Sequence, residues 1–229
     1  MRYAIYFAPP ADGLLWKRAC QWLGRDPLRL CQLRQPQVPG LAVTALSELT
    51  ASARRYGFHA TLKAPFRLSE GMTQNKLFAA LSDFARGRRA FALPPLEVGN
   101  LGGFVALRLS QPCLQLDQLA MDCVRHFDHF RKPPGERELA QRLHGLDERQ
   151  RALLHRWGYP YVMDQWRFHM TMGVPVDKVQ SHAMADFLPI WLDSALQEQL
   201  VVEDLCVFVE PAPGEAFELA RRFPFASGD

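Results

Sequence analysis

Two short stretches, FHATLK at 58–63 and RFHMTM at 167–172, constrain this chain more than anything else in it. Side chains of a strand alternate between two faces. Read that way, the first stretch turns His59, Thr61 and Lys63 to one side and Phe58, Ala60 and Leu62 to the other. The second turns Arg167, His169 and Thr171 one way and Phe168, Met170 and Met172 the other. Residues 59 and 169 lie 110 positions apart, and each stretch is followed by an amphipathic helix and then a hairpin. A repeated order of elements without repeated residues predicts an α+β fold of two pseudo-symmetric lobes. Each lobe is an antiparallel sheet covered by helices on its outer side, and the two face a central cleft. The expected organisation is a single bilobal domain, 1–229, with halves of roughly 1–112 and 113–229.

The individual elements follow from periodicity. RYAIYF at 2–7 reads as a strand, and Leu14, Leu15, Ala19, Trp22 and Leu23 predict a helix capped by Asp12 and stopped by Gly24. Residues 25–43 hold three prolines and read as a connector, followed by a short helix, TALSELTASA. Thr73 caps the next helix, whose apolar face is Leu77, Phe78, Leu81 and Phe84. Residues 96–109 predict a hairpin turning at Gly102–Gly103. In the second half, LDQLAMDCVRHFDHF and 136–158 read as helical, 164–172 as a strand, and 178–198 as a helix. VVEDLCVFVE and FELARRFPF form the closing hairpin.

Composition excludes several classes. With 48% hydrophobic and 22% charged residues, the chain carries an ordinary globular core. It has no apolar run long enough to span a membrane and no signal-peptide pattern at residues 1–10, so a soluble cytoplasmic protein is expected, with a monomer as the favoured state. Five dispersed cysteines and no C-x-x-C pair argue for reduced thiols and against a zinc site or a disulfide framework. The histidines of RHFDHF, His126 and His129, share a helix face but lack a third ligand, which favours a solvated face. No G-x-x-x-x-G-K-[ST] phosphate loop is present, so Gly99, Gly102 and Gly103 are turn residues. A net charge of +3 is too small to advertise a nucleic-acid surface but suits a small anionic substrate.

Two imidazoles and two hydroxyls gathered across a pseudo-twofold cleft suit phosphodiester hydrolysis. One neutral imidazole removes a proton from water, and the other, protonated, gives one to the leaving oxygen. An ordinary pKa near 6.5 lets histidine serve in either role. The threonines can donate to phosphate oxygens and stabilise their charge. No metal or other cofactor enters this scheme.

These residues carry a resemblance. HATL at 59–62 and HMTM at 169–172 look like the paired His-x-Thr/Ser-x motifs of the 2H phosphoesterase superfamily. The longer stretches RYGFHATLKAPF and RWGYPYVMDQWRFHMTM, with the opening RYAIYFAP, are similar to its subfamily associated with phosphonate-utilisation genes (DUF1045-like). The resemblance implies His59 and His169 as catalytic and Thr61 and Thr171 as phosphate-binding. Lys63 and Arg167, on the same faces by parity, are added as anion contacts, with Tyr56 and Tyr161 as further substrate contacts. It also implies a metal-independent cyclic phosphodiesterase, with a ribose 1,2-cyclic phosphate from phosphonate breakdown, 5-phosphorylated or not, as the candidate substrate. His169 is assigned the base and His59 the acid. The alternatives are an enzyme acting on 2′,3′-cyclic RNA ends and a non-catalytic binder of a phosphorylated metabolite. The loop TMGVPVD after the second histidine departs from the family pattern.

Overall fold

In the computed structural model, which describes residues 1–226, strand β1 (Arg2–Phe7) leads into helix α1 (Leu14–Leu23) and a minimal hairpin, β2 (Arg25–Asp26) and β3 (Cys31–Gln32). Helices α2 (Ala45–Leu49) and α3 (Ala51–Tyr56) deliver the chain to β4 (Ala60–Phe66). Then come α4 (Gln74–Arg86), the two-residue β5 (Phe91–Ala92) and the hairpin of β6 (Leu96–Leu101) and β7 (Phe104–Leu109). The second half runs α5 (Leu114–His126), α6 (Glu136–Arg142), α7 (Glu148–Trp157), β8 (Met170–Gly173), α8 (Lys178–Leu196), β9 (Val201–Val202), β10 (Asp204–Glu210) and β11 (Glu218–Pro224).

Local chemistry explains most boundaries. The Thr73 hydroxyl accepts the Lys76 N–H at the start of α4, as its spacing predicts. Helix α1 instead begins behind Gly13 with no side-chain cap, so Asp12 does not serve, while its other end stops at Gly24 in the left-handed conformation. The expected helix at 44–53 is broken at Thr50, whose hydroxyl donates to the Leu46 carbonyl at 2.7 Å. The helical reading of 136–158 resolves into α6 and α7, with Gly145 at φ 76° between them.

Two sheets dominate. One is four-stranded and antiparallel, in the order β11-β10-β1-β4, and the other is three-stranded, β6-β7-β8. Each motif strand is therefore paired within a sheet that draws on the other half of the sequence. The β10–β11 hairpin joins the sheet of β4, and the β6–β7 hairpin pairs with β8. The boundary expected near residue 112 does not separate the sheets. Backbone hydrogen-bonding edges carry no side-chain code, so packing, and not proximity along the chain, decides which edge a hairpin takes.

The helices cover the sheets: α5 lies on β4, α4 on β10 and β11, and α8 on β6, β7 and α1. One continuous apolar cluster includes Trp16 and Trp22 of α1, Leu77 and Leu81 of α4, Leu188 and Leu192 of α8, and Phe208 of β10. The Trp22 indole donates to the Met172 carbonyl at 2.8 Å, tying α1 to the second motif strand. Among the described residues, no helix is long and apolar enough to cross a membrane.

Candidate active site

Helix α3 ends at Gly57, whose φ of 79° lies in the left-handed region and whose N–H returns to the Ala53 carbonyl. A Cβ there would stand 2.8 Å from the Pro27 ring and 3.3 Å from Phe208, so only glycine fits. The Gly57 carbonyl then meets Nδ1 of His59 at 2.8 Å. A carbonyl can only accept, so Nδ1 carries the hydrogen and Nε2 keeps its lone pair in the neutral ring. Nε2 lies 3.3 Å from the Thr61 hydroxyl. The imidazole stacks on Tyr6 of the neighbouring β1, with ring centres 3.7 Å apart and planes 18° from parallel, and Phe208 of β10 stands 6.0 Å away. Burial among these rings pushes the His59 pKa down to about 4, against the pull of the Gly57 carbonyl, and a charge on His169 would lower it further.

His169 repeats the arrangement. Its Nδ1 donates to the carbonyl two residues back, that of Arg167, at 2.8 Å, which again leaves the lone pair of the neutral ring on Nε2. Phe104 on β7 is its aromatic neighbour, at 5.4 Å and tilted. Thr171 pairs across from Ala106 on β7 and is half-buried, as are both histidines. The predicted strand 164–172 is shorter in fact. Residues 163–165 form a 3-10 turn, and pairing with β7 begins only at Met170. Strands β4 and β8 lie against each other. The Trp166 indole donates to the Thr61 carbonyl at 2.7 Å, and Phe168 stands 6.4 Å from Phe7. His59 and His169 thus directly precede the adjoining strands that carry Thr61 and Thr171, each with Nδ1 tied to the carbonyl two residues back.

Lys63 does not join them. Tyr6 pairs with Thr61, but Ile5 pairs with Lys63, so β4 has an extra residue at Leu62. Such a bulge breaks the alternation, and Lys63 turns to the opposite face, that of Ile5. There its ammonium donates to the Val124 carbonyl at 3.2 Å and meets Asp128 at 3.4 Å, with only 3% of the residue exposed. Burial lowers its pKa to about 8, opposed by the charge of Asp128. The expected anion contact is a core ion pair beneath α5.

Arg167 is exposed, and its guanidinium folds back onto the carbonyls of Asp164 and Trp166 at 2.8 and 2.6 Å. What it offers His169 is its own carbonyl. Tyr56 is half-buried, its ring 6.4 Å from that of His59 and stacked on Phe217. Tyr161 is exposed and leans edge-on against Tyr159 at 5.7 Å. Tyr159 is the residue that parity overlooks. Burial pushes its phenol up to about 12, with the phenols of Tyr161 and Tyr56 adding to the shift. Tyr6, Phe208, Phe104 and Trp166 were equally invisible as site residues, because each depends on which strand lies next to which. Only for Tyr6 does the sequence hold a signal, the alternation of RYAIYF that sets Arg2, Ala4 and Tyr6 on one face.

One more charged group completes this face. Glu210, opposite Arg2 on β10, is almost wholly buried and pairs with Arg2 and with Arg55, the latter at 2.5 Å. The bond from Arg2 holds its pKa down to about 2. Among the described residues, no three His, Cys, Asp or Glu side chains gather as a metal site. His126 packs instead against Phe84 and Phe127.

The family described as "Protein of unknown function (DUF1045)" matches residues 61–218. The chain is 41% identical, over an alignment of 234 residues, to the ribose 1,5-bisphosphate phosphokinase PhnN of Janthinobacterium sp. (strain Marseille), covering 98% of this chain and 51% of that protein. It is 38% identical to the ribose 1,5-bisphosphate phosphokinase PhnN of Laribacter hongkongensis (strain HLHK9), covering 96% and 51%. The chain thus spans about half the length of the curated relatives it matches. Among solved structures it is similar to a phosphoesterase, at 16% identity and a TM-score of 0.43, covering 99% of each chain. It is also similar to E. coli LigT complexed with 3'-AMP, at 14% identity and a TM-score of 0.42, covering 99% of this chain and 98% of that one.

Proposed function

The chain belongs to the DUF1045 family, and we propose that it is a two-histidine cyclic phosphodiesterase of the 2H type, opening a small cyclic phosphate to a phosphomonoester. The observation that carries this reading is the duplicated local geometry. Two imidazoles, each directly preceding one of two adjoining strands, tie Nδ1 to the carbonyl two residues back, leave Nε2 as the free nitrogen of the neutral ring, and have a threonine two residues on.

In this scheme water adds to phosphorus as one ring P–O bond breaks. The neutral imidazole takes a proton from the water, and the protonated one delivers its own to the departing sugar oxygen. The net change is one water gained, and the two histidines exchange protonation states that solvent then restores. The low pKa of His59 keeps it neutral at pH 7, which favours His59 as base and His169 as acid, the reverse of the assignment made from sequence. A bound phosphate anion raises the pKa of the His59 ring, because opposite charge favours the protonated form, and so strengthens the base when substrate is in place. Thr61 and Thr171 supply hydroxyl donors to the phosphate oxygens. No step uses a metal.

The substrate reading rests on the relatives. They are named for a kinase acting on ribose 1,5-bisphosphate. Cleaving the O2–P bond of a ribose 1,2-cyclic phosphate that carries a 5-phosphate yields ribose 1,5-bisphosphate. The half of those proteins that this chain matches would then supply the compound for which they are named.

The test is turnover of a panel of cyclic phosphates, 2′,3′-cyclic nucleotides included, with and without chelator. The expected result is chelator-resistant hydrolysis, fastest on the ribose 1,2-cyclic compound. His59→Ala and His169→Ala should each lose at least about a hundredfold in kcat/KM, the usual worth of a positioned acid or base. Full activity in His169→Ala refutes the mechanism.

A further inference from the structure

The β2–β3 hairpin, helices α2 and α3 and the turn between β10 and β11 enclose a cavity of ≈ 560 Å³. Arg25, Arg54 and Arg55 line it with Gln32, Gln35 and Ser47, and among the described residues no acidic one does. Arg25 and Arg54 form no ion pair among those residues. Arg25 is half-buried and gives Nη1 to the Phe217 carbonyl at 2.7 Å. Arg54, also half-buried, gives Nη1 to the Ser47 hydroxyl at 2.9 Å and Nη2 to the Ser47 carbonyl at 3.1 Å. Neutral oxygens thus orient both groups without compensating their charge. Burial lowers the pKa of Arg25, opposed first by the charge of Glu218, which does not line the cavity. Arg55 pairs with Glu210 at 2.5 Å, but that carboxylate also holds Arg2 and accepts the Gly214 N–H at 3.1 Å.

These cations are held from behind. The Phe217 carbonyl accepts from Arg25, its N–H donates to the Arg55 carbonyl at 2.7 Å, and its ring stacks on Tyr56 with centres 5.0 Å apart. Taking a cation part-way out of water without a counter-charge costs free energy that a bound anion offsets. We propose that this cavity binds a small phosphate monoester, at a site apart from the two His-x-Thr pairs. None of His59, Thr61, His169 and Thr171 lines it, and the site stands whether or not the chain is a hydrolase. Number and charge favour phosphate. A carboxylate offers one charge and two oxygens, which a single guanidinium fork uses up. A phosphate monoester carries about −1.5 to −2 at pH 7 and three acceptor oxygens, enough to engage the forks of Arg25 and Arg54 together beside Arg55. The volume is that of a small-molecule pocket, larger than a bare ion needs.

The experiment titrates glycerol 3-phosphate into nitrogen-15-labelled protein, at an ionic strength held constant with chloride, and follows the arginine Nε–Hε signals by NMR. Those of Arg25 and Arg54 should move along one binding curve, while that of Arg149, bonded to Asp164 at the surface, stays. Inorganic phosphate should move the same two signals with a larger Kd. Succinate should bind at least about tenfold more weakly than the ester, the worth of one charged hydrogen bond. Arg54→Gln should weaken the ester by a similar factor. Arg54→Lys, which keeps the charge and loses the fork, should weaken it too. In His59→Ala/His169→Ala the curve should be unchanged. Unmoved Arg25 and Arg54 signals, or full affinity in both Arg54 variants, overturn the site. Succinate or inorganic phosphate binding as tightly as the ester overturns the assignment of its ligand. A curve lost in the double histidine variant places the anion at the His-x-Thr pairs and overturns the proposal as well.

Discussion

The two His-x-Thr strands share their local geometry and differ in what surrounds it. His59 is clasped by Tyr6 at 3.7 Å, with Phe208 and Tyr56 close behind, whereas His169 has the single tilted ring of Phe104 at 5.4 Å. Each Nδ1 is pinned by the same kind of carbonyl at the same 2.8 Å. The lesson is that a duplicated motif need not yield two equivalent groups. Backbone geometry selects which nitrogen faces the chemistry, and the neighbouring strands set how costly it is to charge. Both motif strands are edge strands, β4 beside β1 and β8 beside β7, but β4 belongs to the four-stranded sheet, in which β10 lies on the other side of β1 and brings Phe208 near His59. In the proposed reaction this asymmetry separates base from acid.

The largest expected effect tests whether the two strands act as one unit. His59→Ala/His169→Ala should lose little more activity than either single variant, because the second group has nothing left to complete once the first is gone. Multiplicative losses in single-turnover rates would mean the histidines work independently.

The next prediction isolates the enclosure of His59. Its folded pKa, about 4, lies below the ordinary 6.5, so between these values the unfolded chain binds the extra proton and stability rises with pH. Acidifying from about 6.5 to about 4 should therefore remove stability on the order of 2–3 kcal/mol from this group. Urea unfolding across that window should show the slope flattened in His59→Asn. An unchanged slope would remove the distinction between the two rings.

Smaller effects come from the residues that strand parity assigned to the cleft. Lys63→Met should cost about 1–3 kcal/mol of stability, the worth of a buried charged hydrogen bond, with kcat per folded molecule unaltered. A catalytic loss without a stability loss would return Lys63 to the site. Arg167→Ala should change kcat/KM by about twofold or less, as expected for a surface side chain bonded to its own loop. A tenfold fall would show that its guanidinium reaches substrate.

Much of this was legible beforehand. The alternation of FHATLK and RFHMTM identified His59, Thr61, His169 and Thr171 as two matched pairs, and the caps at Thr73, Gly24 and Gly158 appear where the residues call for them. Lys63 was misread for one reason: an extra residue in β4 between Thr61 and Lys63 reverses its face, a second register shift follows before Phe66, and nothing in ATLKAPF marks where either falls. Of the two phenols flanking Pro160, Tyr159 is the more enclosed and Tyr161 the exposed one, which the sequence does not mark.

From its residues alone the chain determines which segments are strands and helices, and that each half holds one histidine with a hydroxyl two positions on. These depend on interactions within a few residues, which periodicity and capping record directly. Tertiary structure alone decides that each hairpin crosses to the sheet of the other half, that Tyr6 lies under His59, and that Arg25, Arg54 and Arg55 converge on one cavity. The backbone edges that make those pairings are chemically alike along every strand. The choice among them follows from burying one shared core, a property of the whole chain and of no stretch within it.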